Sequence, residues 1–526
     1  MTFMVRVYWF IALVFTPLAA YLSKDYPIAY YLTCIGVFWA LLGCYDIYFS
    51  HSNLRRNYPV VAYFRYMLEF IRPEIRQYFI ANNVEERPFN REERSLVYRR
   101  AKNIADTLPF GTEVDILGDG YLTAQHSLSP KRVPEKDKTV SFGGSQCSKP
   151  YNASRLNISA MSFGALSANA IEALNKGAKI GGFAHNTGEG GLSPYHLKHG
   201  GELIWQIGTG YFSCRNSDGS FNIDAFQERA VLDNVKMIEI KLSQGAKPSH
   251  GGILPAAKVS EEIAHIRLVE VGKDVVSPPA HSAFSGPRGL LNFVQQLREA
   301  SDGKPVGFKL CVGKRRECLA ICKAMLEMEV LPDFITIDGA EGGTGAAPLE
   351  FSNRLGTPCL EAIYYVNQVL IGLDLRDKMR LIASGKTASG FDMITKIALG
   401  ADTVNAARTM MFALGCVQSQ SCNTNLCPTG VATQNPARGK AVDVEVKHIR
   451  VANFHNRTVE SFLDLCGAMG YDHPDKLRPA DIYRRNDQKL MHYDQIFTPL
   501  QPGQLLGNDV PTTYAKDWAE ASSERF

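Results

Sequence analysis

Eight short apolar runs of β type recur along the second two-thirds of the chain, separated by mostly helical intervals, and this alternation constrains the fold more than any other feature. The runs are LNISAM (156–161), GGFAHN (181–186), IWQIG (204–208), MIEIKL (237–242), VGFKLCV (306–312), FITIDGA (334–340), RLIAS (380–384) and DTVNAAR (402–408). Eight strands alternating with helices predict an α/β fold closed as a (β/α)8 barrel over residues 151–480, with a doubly wound sheet as the alternative.

Two further apolar runs stand at the front, Val7 to Leu22 and Pro27 to Tyr45, separated only by Ser23 to Tyr26. Each is close to the length that crosses a bilayer, so residues 1–49 are expected to form a transmembrane hairpin, against a cleaved signal or buried core helices. Arg55, Arg56, Arg65, Arg72 and Arg76 follow the second run, whereas the connecting loop carries one Lys and one Asp. The positive-inside rule then places both ends and the catalytic domain in the cytoplasm; the plainer reading of these arginines is a solvated helix face. Residues 50–150 read as an adaptor, helical at first with Pro73 and Pro88 as breakers and then turn-rich, and 481–526 as a C-terminal tail.

With 526 residues, 45% apolar and 21% charged, the chain can bury a large core. A net charge of +4 with interspersed signs gives no basic stripe, so nucleic acid is not an expected partner. Twelve cysteines scattered in apolar or helical contexts fit reduced thiols in a cytosolic compartment.

Glycine-rich stretches follow or flank the predicted strands: MSFGALS (161–167), HNTGEGG (185–191), QGAKPSHGG (244–252), SPPAHS (277–282), DGAEGGTGAAP (338–348) and SGKTASG (384–390). Backbone amides exposed by glycine favour an anionic, phosphate-bearing cofactor, and the ends of the seventh and eighth strands, here Ser384 to Lys386 and Ala406 to Arg408, are the usual phosphate site of a barrel. Lys309 interrupts an apolar strand, which is costly without an anionic partner; the plainer reading is a lysine snorkelling from the strand end.

Cys416, Cys422 and Cys427 are spaced C-x5-C-x4-C in a Gly-, Asn- and Pro-rich loop. A structural zinc site takes four ligands and favours C-x2-C pairs, so three thiolates at this spacing suit a [3Fe-4S] cluster better than zinc or three unrelated buried cysteines.

Taken together, MSFGALS, NTGEGG, QGAKP, SPP, GGTGAAP and CxxxxxCNTNLCPTGVATQ resemble the synthase domain of glutamate synthase over about Leu156 to Ala480. The resemblance implies an FMN-dependent barrel with one [3Fe-4S] cluster on Cys416, Cys422 and Cys427. Met161, Ser162 and Gly164 are then expected near the flavin ring, with Asn186 and Gln244 beside the cofactor and Lys309 at its electron-rich edge. Gly342, Gly343, Thr344 and Gly345, with Ser384, Gly385, Lys386, Ala407 and Arg408, are expected around the ribityl chain and phosphate. Electrons would pass from a donor through the cluster to FMN and then as hydride to an imine. Lys309, Lys247, Glu189 and His250 are the expected catalytic residues.

The departures from the family are as informative. Neither an amino-terminal glutaminase, nor a G-x-G-x-x-G dinucleotide fingerprint, nor room for a C-terminal β-helix is evident, so a separate protein or membrane carrier is the expected electron donor. Tyr211 stands where the family's GRFG arginine is expected, His250 where a glutamate is expected and Ile253 where a glutamine is expected, while Arg215 lies four residues beyond Tyr211. Gln244 and Lys247 remain. The expected reaction is reductive amination of a 2-oxo acid, 2-oxoglutarate to glutamate, with ammonia or an amine. The alternatives are a flavin and iron–sulfur oxidoreductase acting on another amine or carbonyl compound at the membrane, and a non-catalytic electron-transfer subunit. Homo-oligomerisation is open.

Overall fold

All eight expected runs contribute a strand. In the computed structural model, which describes residues 3–526, these are β1 (Leu156–Ile158), β2 (His185–Asn186), β3 (Leu203–Ile207), β4 (Val235–Lys241), β5 (Val306–Leu310), β6 (Phe334–Asp338), β7 (Arg380–Ser384) and β8 (Thr403–Ala406). They form one closed parallel barrel. Closure comes from β8 pairing with β1, Val404 opposite Leu156 and Ala406 opposite Ile158, a bond that a doubly wound open sheet lacks. The run GGFAHN yields only its last two residues as strand, because Gly182 ends the preceding helix in the left-handed conformation at φ 70°.

The helices that cover the barrel are α1 (Ala168–Gly181), α2 (Pro194–Leu197), α3 (Ile223–Ala230), α4 (Gly286–Ala300), α5 (Arg315–Met328), α6 (Cys359–Gly372), α7 (Gly390–Ala398) and α8 (Val444–Ala468). Helix α1 starts at Ser167, whose side chain accepts from the Ala170 amide at 3.3 Å. It packs against α8 so closely that a Cβ on Gly177 would lie 2.7 Å from the His448 carbonyl oxygen.

The chain divides into two compact units, one ending at Pro88 and one spanning Phe89–Phe526. In the first, the helical stretches Phe3–Leu22 and Pro27–Tyr48 are each long and apolar enough to cross a membrane. They pack together through small residues, Gly36 against Thr16 and Gly43 against Tyr8, and the Tyr8 hydroxyl donates to the Ala40 carbonyl at 2.6 Å. Apolar side chains such as Phe38 and Leu41 point outward from this pair.

In the second unit, an antiparallel hairpin of Thr139–Phe142 and Tyr151–Ser154 plugs the bottom of the barrel. Val140, Phe142, Tyr151 and Ala153 form a separate apolar cluster with Ala184, Ile204, Met237, Phe334 and Ile382, none of which lies past the middle of its strand. Phe142 meets Phe334 edge-on at 5.8 Å. Two strands beyond α8, Ile482–Asn486 and Lys489–His492, form a small sheet with Leu122–Ala124 from before the barrel, and the helix Thr512–Glu520 follows, its Tyr514 stacked on Tyr365 at 5.8 Å.

One buried ion pair fastens the plug. Asp333 accepts the Gly144 amide at 2.7 Å and the Val306 amide at 2.9 Å, and faces Arg298 at 3.0 Å. Truncating it strands a buried guanidinium and two amides, so Asp333→Ala is expected to cost about 3–5 kcal/mol. A lowered urea midpoint for loss of barrel structure checks this; an unchanged midpoint contradicts it.

Candidate functional site

The catalytic end of such a barrel is where the strands stop, and here five neighbouring strands bring charged or amide side chains together in an otherwise apolar interior. Glu239 of β4 is fully buried. Its Oε1 accepts Asn186 Nδ2 of β2 at 2.8 Å and Gln206 Nε2 of β3 at 2.7 Å, and its Oε2 accepts the Thr336 hydroxyl of β6 at 2.6 Å. Lys309 of β5 lies 3.5 Å from Asp338 of β6. Burial pulls the Lys309 ammonium down, and the charges of Asp338, Glu239 and Glu189 outweigh burial, holding its pKa above the ordinary lysine value. Lys309 is thus a firm cation.

Two residues further along β4, Lys241 Nζ lies 2.8 Å from Glu189 Oε1. Burial pushes the Glu189 carboxyl up, but Lys241, Lys247 and Arg267 more than offset it and hold it below the ordinary carboxylate value. Gly208 and Gly252 make room for it, since a Cβ at either would lie within 2.7 Å of the Glu189 side chain. Lys247 is buried and donates to the Ala346 carbonyl at 3.0 Å. Its pKa falls to about 8 through burial, which the nearby Lys241 deepens and Glu189 opposes.

Several expected site residues are bound up with other parts of the protein. His250 Nδ1 lies 2.9 Å from the Gly251 carbonyl oxygen, and the ring stands edge-on to Phe351 at 5.2 Å. Lys386 pairs with Glu93 at 2.8 Å, and Arg408 donates to the Glu341 carbonyl at 2.7 Å. Both cations also stand over the Phe89 ring. Ser384 is buried against Ser159, with their hydroxyls 3.1 Å apart. Gln244 leads into Gly245, whose amide donates to Asp338 at 2.8 Å. The loop Gly342–Gly345 lies largely open at the mouth; a Cβ at Gly345 would meet nothing within 4 Å, whereas one at Gly343 would strike Arg408.

Tyr211 is held within the packed loops. Its hydroxyl accepts the Ala283 amide at 3.0 Å and pairs with His281 Nδ1 at 3.0 Å, and the residue is fully buried at a left-handed φ of 48°. Burial lowers the His281 pKa to about 4, so the ring is neutral. Beyond it opens a cavity of about 630 Å³ whose wall includes Thr209, Gly210, Phe212, Arg215 and Ser277. The Arg215 guanidinium stands over the Phe212 ring at 5.7 Å, and its buried Nε has no hydrogen-bond partner.

The cysteine loop is braced against the MSFGALS loop. Gln434 Nε2 donates to the Gly164 carbonyl at 3.0 Å and the Leu166 carbonyl at 2.7 Å, and Ser167 N donates to Val431 O at 3.0 Å. Lys258, buried and near Cys422 and Cys427, donates to Ala165 O at 2.7 Å. Met161 is fixed likewise, its carbonyl 3.0 Å from His196 Nε2 and its amide donating to Asn186 O at 3.0 Å. A Cβ on Gly188 would stand only 3.1 Å from the Ser162 nitrogen, and its left-handed φ of 66° itself favours glycine.

Burial pushes the Cys416 thiol up to about 12, and Cys422 and Cys427 add to it, so the three sulfurs share one neighbourhood. Cys427 differs: burial raises it, yet the Thr429 hydroxyl and the amides of Ala432, Thr429 and Val431 bring it below the ordinary thiol value. Such a ring of donors suits a sulfur carrying negative charge, as a metal-bound thiolate does. Among the described residues no three His, Cys, Asp or Glu side chains are gathered as closely as metal ligands are.

Sequence reasoning missed Glu239, Lys241, Asp338, Arg267 and His281. The signal for two of them was present: Glu239 and Lys241 share one face of the apolar strand MIEIKL, the same anomaly that marked Lys309.

A family model described as a conserved region in glutamate synthase matches residues 126–472. A glutamate synthase large subunit-like protein of Bacillus subtilis, YerD, is 38% identical over 489 residues, 85% of this chain and 92% of that protein. An archaeal glutamate synthase (NADPH) of Methanocaldococcus jannaschii is 37% identical over 322 residues, 61% of this chain and 60% of that protein. This chain therefore matches less than two thirds of the length of the archaeal protein. Among solved structures, a mutant flavocytochrome b2 with pyruvate bound aligns with a TM-score of 0.42 at 13% identity over 80% of this chain and 85% of its own.

The Glu239 network is open to direct test. Glu239→Gln presents an amide NH2 to donors already committed and removes one anion facing Lys309, so a stability loss of about 2–3 kcal/mol is expected by chemical denaturation. A loss under about 0.5 kcal/mol, the range of an ordinary surface substitution, would contradict the assignment.

Proposed function

This chain belongs to the glutamate synthase family, and we propose that it is a glutamate synthase-like flavin oxidoreductase that reductively aminates a 2-oxo acid, 2-oxoglutarate to glutamate, with FMN at the barrel mouth and a [3Fe-4S] cluster on Cys416, Cys422 and Cys427. The observation that carries this reading is the brace between the cysteine loop and the MSFGALS loop, made by Gln434 on Gly164 and Leu166 and by Lys258 on Ala165. An iron–sulfur loop that touches the loop expected at the flavin ring makes a short path for electrons.

The charges at the barrel mouth suit the flavin, and the donors around Cys427 suit a thiolate, while the three sulfurs stand farther apart than metal ligands do. Buried Lys241, Lys247, Lys309 and Arg267 face Glu189, Glu239 and Asp338, an excess of positive charge that suits an anionic cofactor and a carboxylate substrate. Met161, Ser162, Gly164, Asn186, Gln244 and Lys309 would hold the ring side of FMN. Gly342, Gly343, Thr344 and Gly345, with Ser384, Gly385, Lys386, Ala407 and Arg408, would hold its ribityl phosphate. At the cysteine loop, Cys416, Cys422 and Cys427 would be the three protein ligands of a cluster, and the ring of donors on Cys427 supports a thiolate there. Bound together, the two groups supply single-electron transfer and delivery of an electron pair as hydride.

The chain's own groups then divide the remaining work. Lys247, charged below about pH 8, binds and orients a substrate carboxylate. Glu189, held ionised by Lys241, presents a negative charge to the nitrogen and favours its protonated form. Lys309, fixed as a cation, fits the electron-rich edge of the flavin. His250, beside Phe351, would shield the site from water. Arg215, in the cavity wall, would receive a second carboxylate in place of the arginine absent at 211.

A second reading has a specific observation in its favour. Tyr211 is committed to His281 and Ala283 and leaves the mouth without the family's arginine, which favours a smaller or uncharged carbonyl or amine substrate. In both readings a separate protein or membrane carrier donates the electrons. The helical pair Phe3–Leu22 and Pro27–Tyr48 would anchor the enzyme in a bilayer with the barrel in the cytoplasm.

The test uses reoxidation of the chemically reduced enzyme by 2-oxoglutarate plus ammonia in the absence of oxygen. KM for the oxo acid is expected to rise as pH passes about 8, because the Lys247 ammonium is charged below that value and neutral above it. Lys247→Arg should flatten the rise and Lys247→Ala should raise KM at every pH. Reoxidation by a monocarboxylic or uncharged carbonyl compound alone would replace the first reading with the second.

A further inference from the structure

The stretch 62–80 of the first unit has an apolar face with no use inside the protein. Ala62–Ile75 is an α-helix that continues through a wider π turn, Arg76–Ile80. At 3.6 residues per turn, Phe64, Met67, Leu68, Ile71, Ile75 and Tyr78 fall on one side, and Arg65, Glu69, Arg72 and Arg76 on the other. The apolar side is open: Phe64 is 60% exposed, Met67 50% and Tyr78 57%, with Phe70 and Phe79 at its borders above 80%. On the polar side Arg65 bonds Glu69 at 2.9 Å, one turn apart. A continuous apolar stripe along a helix of roughly 28 Å is larger than a soluble surface ordinarily carries.

The entry to this helix is built. Asp46, fully buried near the end of Pro27–Tyr48, accepts the Val60 amide at 2.9 Å and the Tyr63 hydroxyl at 3.0 Å, with Arg55 at 3.8 Å. Arg55 also donates to Tyr63 at 3.1 Å, and the hydroxyls of Ser52 and Tyr66 lie 3.0 Å apart. Val60 takes a left-handed φ of 64°, a strained conformation for a β-branched residue that this carboxylate holds in place. The connection from the second apolar helix is therefore a fixed corner. The amphipathic helix begins at the level where that helix ends.

We propose that residues 62–80 lie in the plane of a phospholipid interface, with the Phe64–Tyr78 face sunk at the acyl boundary and Arg65, Arg72 and Arg76 reaching the headgroup phosphates. The length, the large moment and the arginines on one stripe are those of an in-plane helix, while continuity with the hairpin selects the bilayer over a protein partner. This rests on reading the two apolar helices as membrane spans. It adds a second anchor, parallel to the surface, and gives the arginines after the second span a location.

The experiment places the photoreactive residue p-benzoylphenylalanine at single positions of the full chain, reconstituted in vesicles of phosphatidylcholine and phosphatidylglycerol. Phe64, Ile71 and Tyr78 are replaced on one face and Glu69 and Arg76 on the other. Lipid adducts, read by mass spectrometry, are expected at least about fivefold more often at 64, 71 and 78 than at 69 and 76, as for a helix half-sunk at the interface. Equal yields around the helix, or adducts to protein at the apolar positions, overturn the proposal. Alkaline carbonate extraction separates the two readings. A chain retained in the membrane without lipid adducts at 64, 71 and 78 has the hairpin and lacks the in-plane helix. A chain that carbonate releases while it gives those adducts keeps the in-plane helix and loses the hairpin, and one released without them loses both.

Discussion

Pairing of charges withdrawn from water at one end of an apolar barrel is the interaction on which the remaining structure depends. A lone buried charge costs several kcal/mol, so none of these groups is tolerable alone. Glu239 is stable because Asn186, Gln206 and Thr336 donate to it, and Lys309 because Asp338 and Glu239 face it. The network thereby ties β2 through β6 to one another by their side chains. A site made this way is rigid before any ligand arrives, and electrostatic catalysis requires that preorganisation.

Two braces protect that rigidity from opposite ends. Below, the hairpin 139–154 fills the barrel floor with Phe142 and Tyr151 and is locked by Asp333 to Arg298. Above, Gln434 and Lys258 bind the cysteine loop to the MSFGALS loop. Glycine at 188 allows the HNTGEGG loop to press on Ser162, so three rim loops form one body. Function and stability share these contacts, and a change in any one loop reaches the others.

The barrel was legible in the sequence because each strand is a compact apolar run beside a glycine-rich loop; all eight runs appear in the closed sheet, and the resemblance to glutamate synthases agrees with the family match. Lys309 was legible as a charge in a strand. Less visible was what it faces: Asp338 and Glu239 belong to other strands, and only closure brings them near. The plug escaped because Thr139–Ser154 is short, polar and turn-rich along the chain, with only alternate residues buried in its first strand. Tyr211 read as a missing arginine; its commitment to His281, 70 residues on, is a property of the packed loops.

The central claim is that one folded body carries a flavin and a three-iron cluster in contacting loops, and anaerobic purification with analysis of iron, flavin and paramagnetic resonance tests it most directly. The account predicts FMN and iron together in the native chain, with the signal of an oxidised three-iron cluster. In Cys422→Ser the iron and the signal should be lost while FMN is retained. A native chain that holds FMN with no iron, or a Cys422→Ser variant whose iron is unchanged, would contradict it.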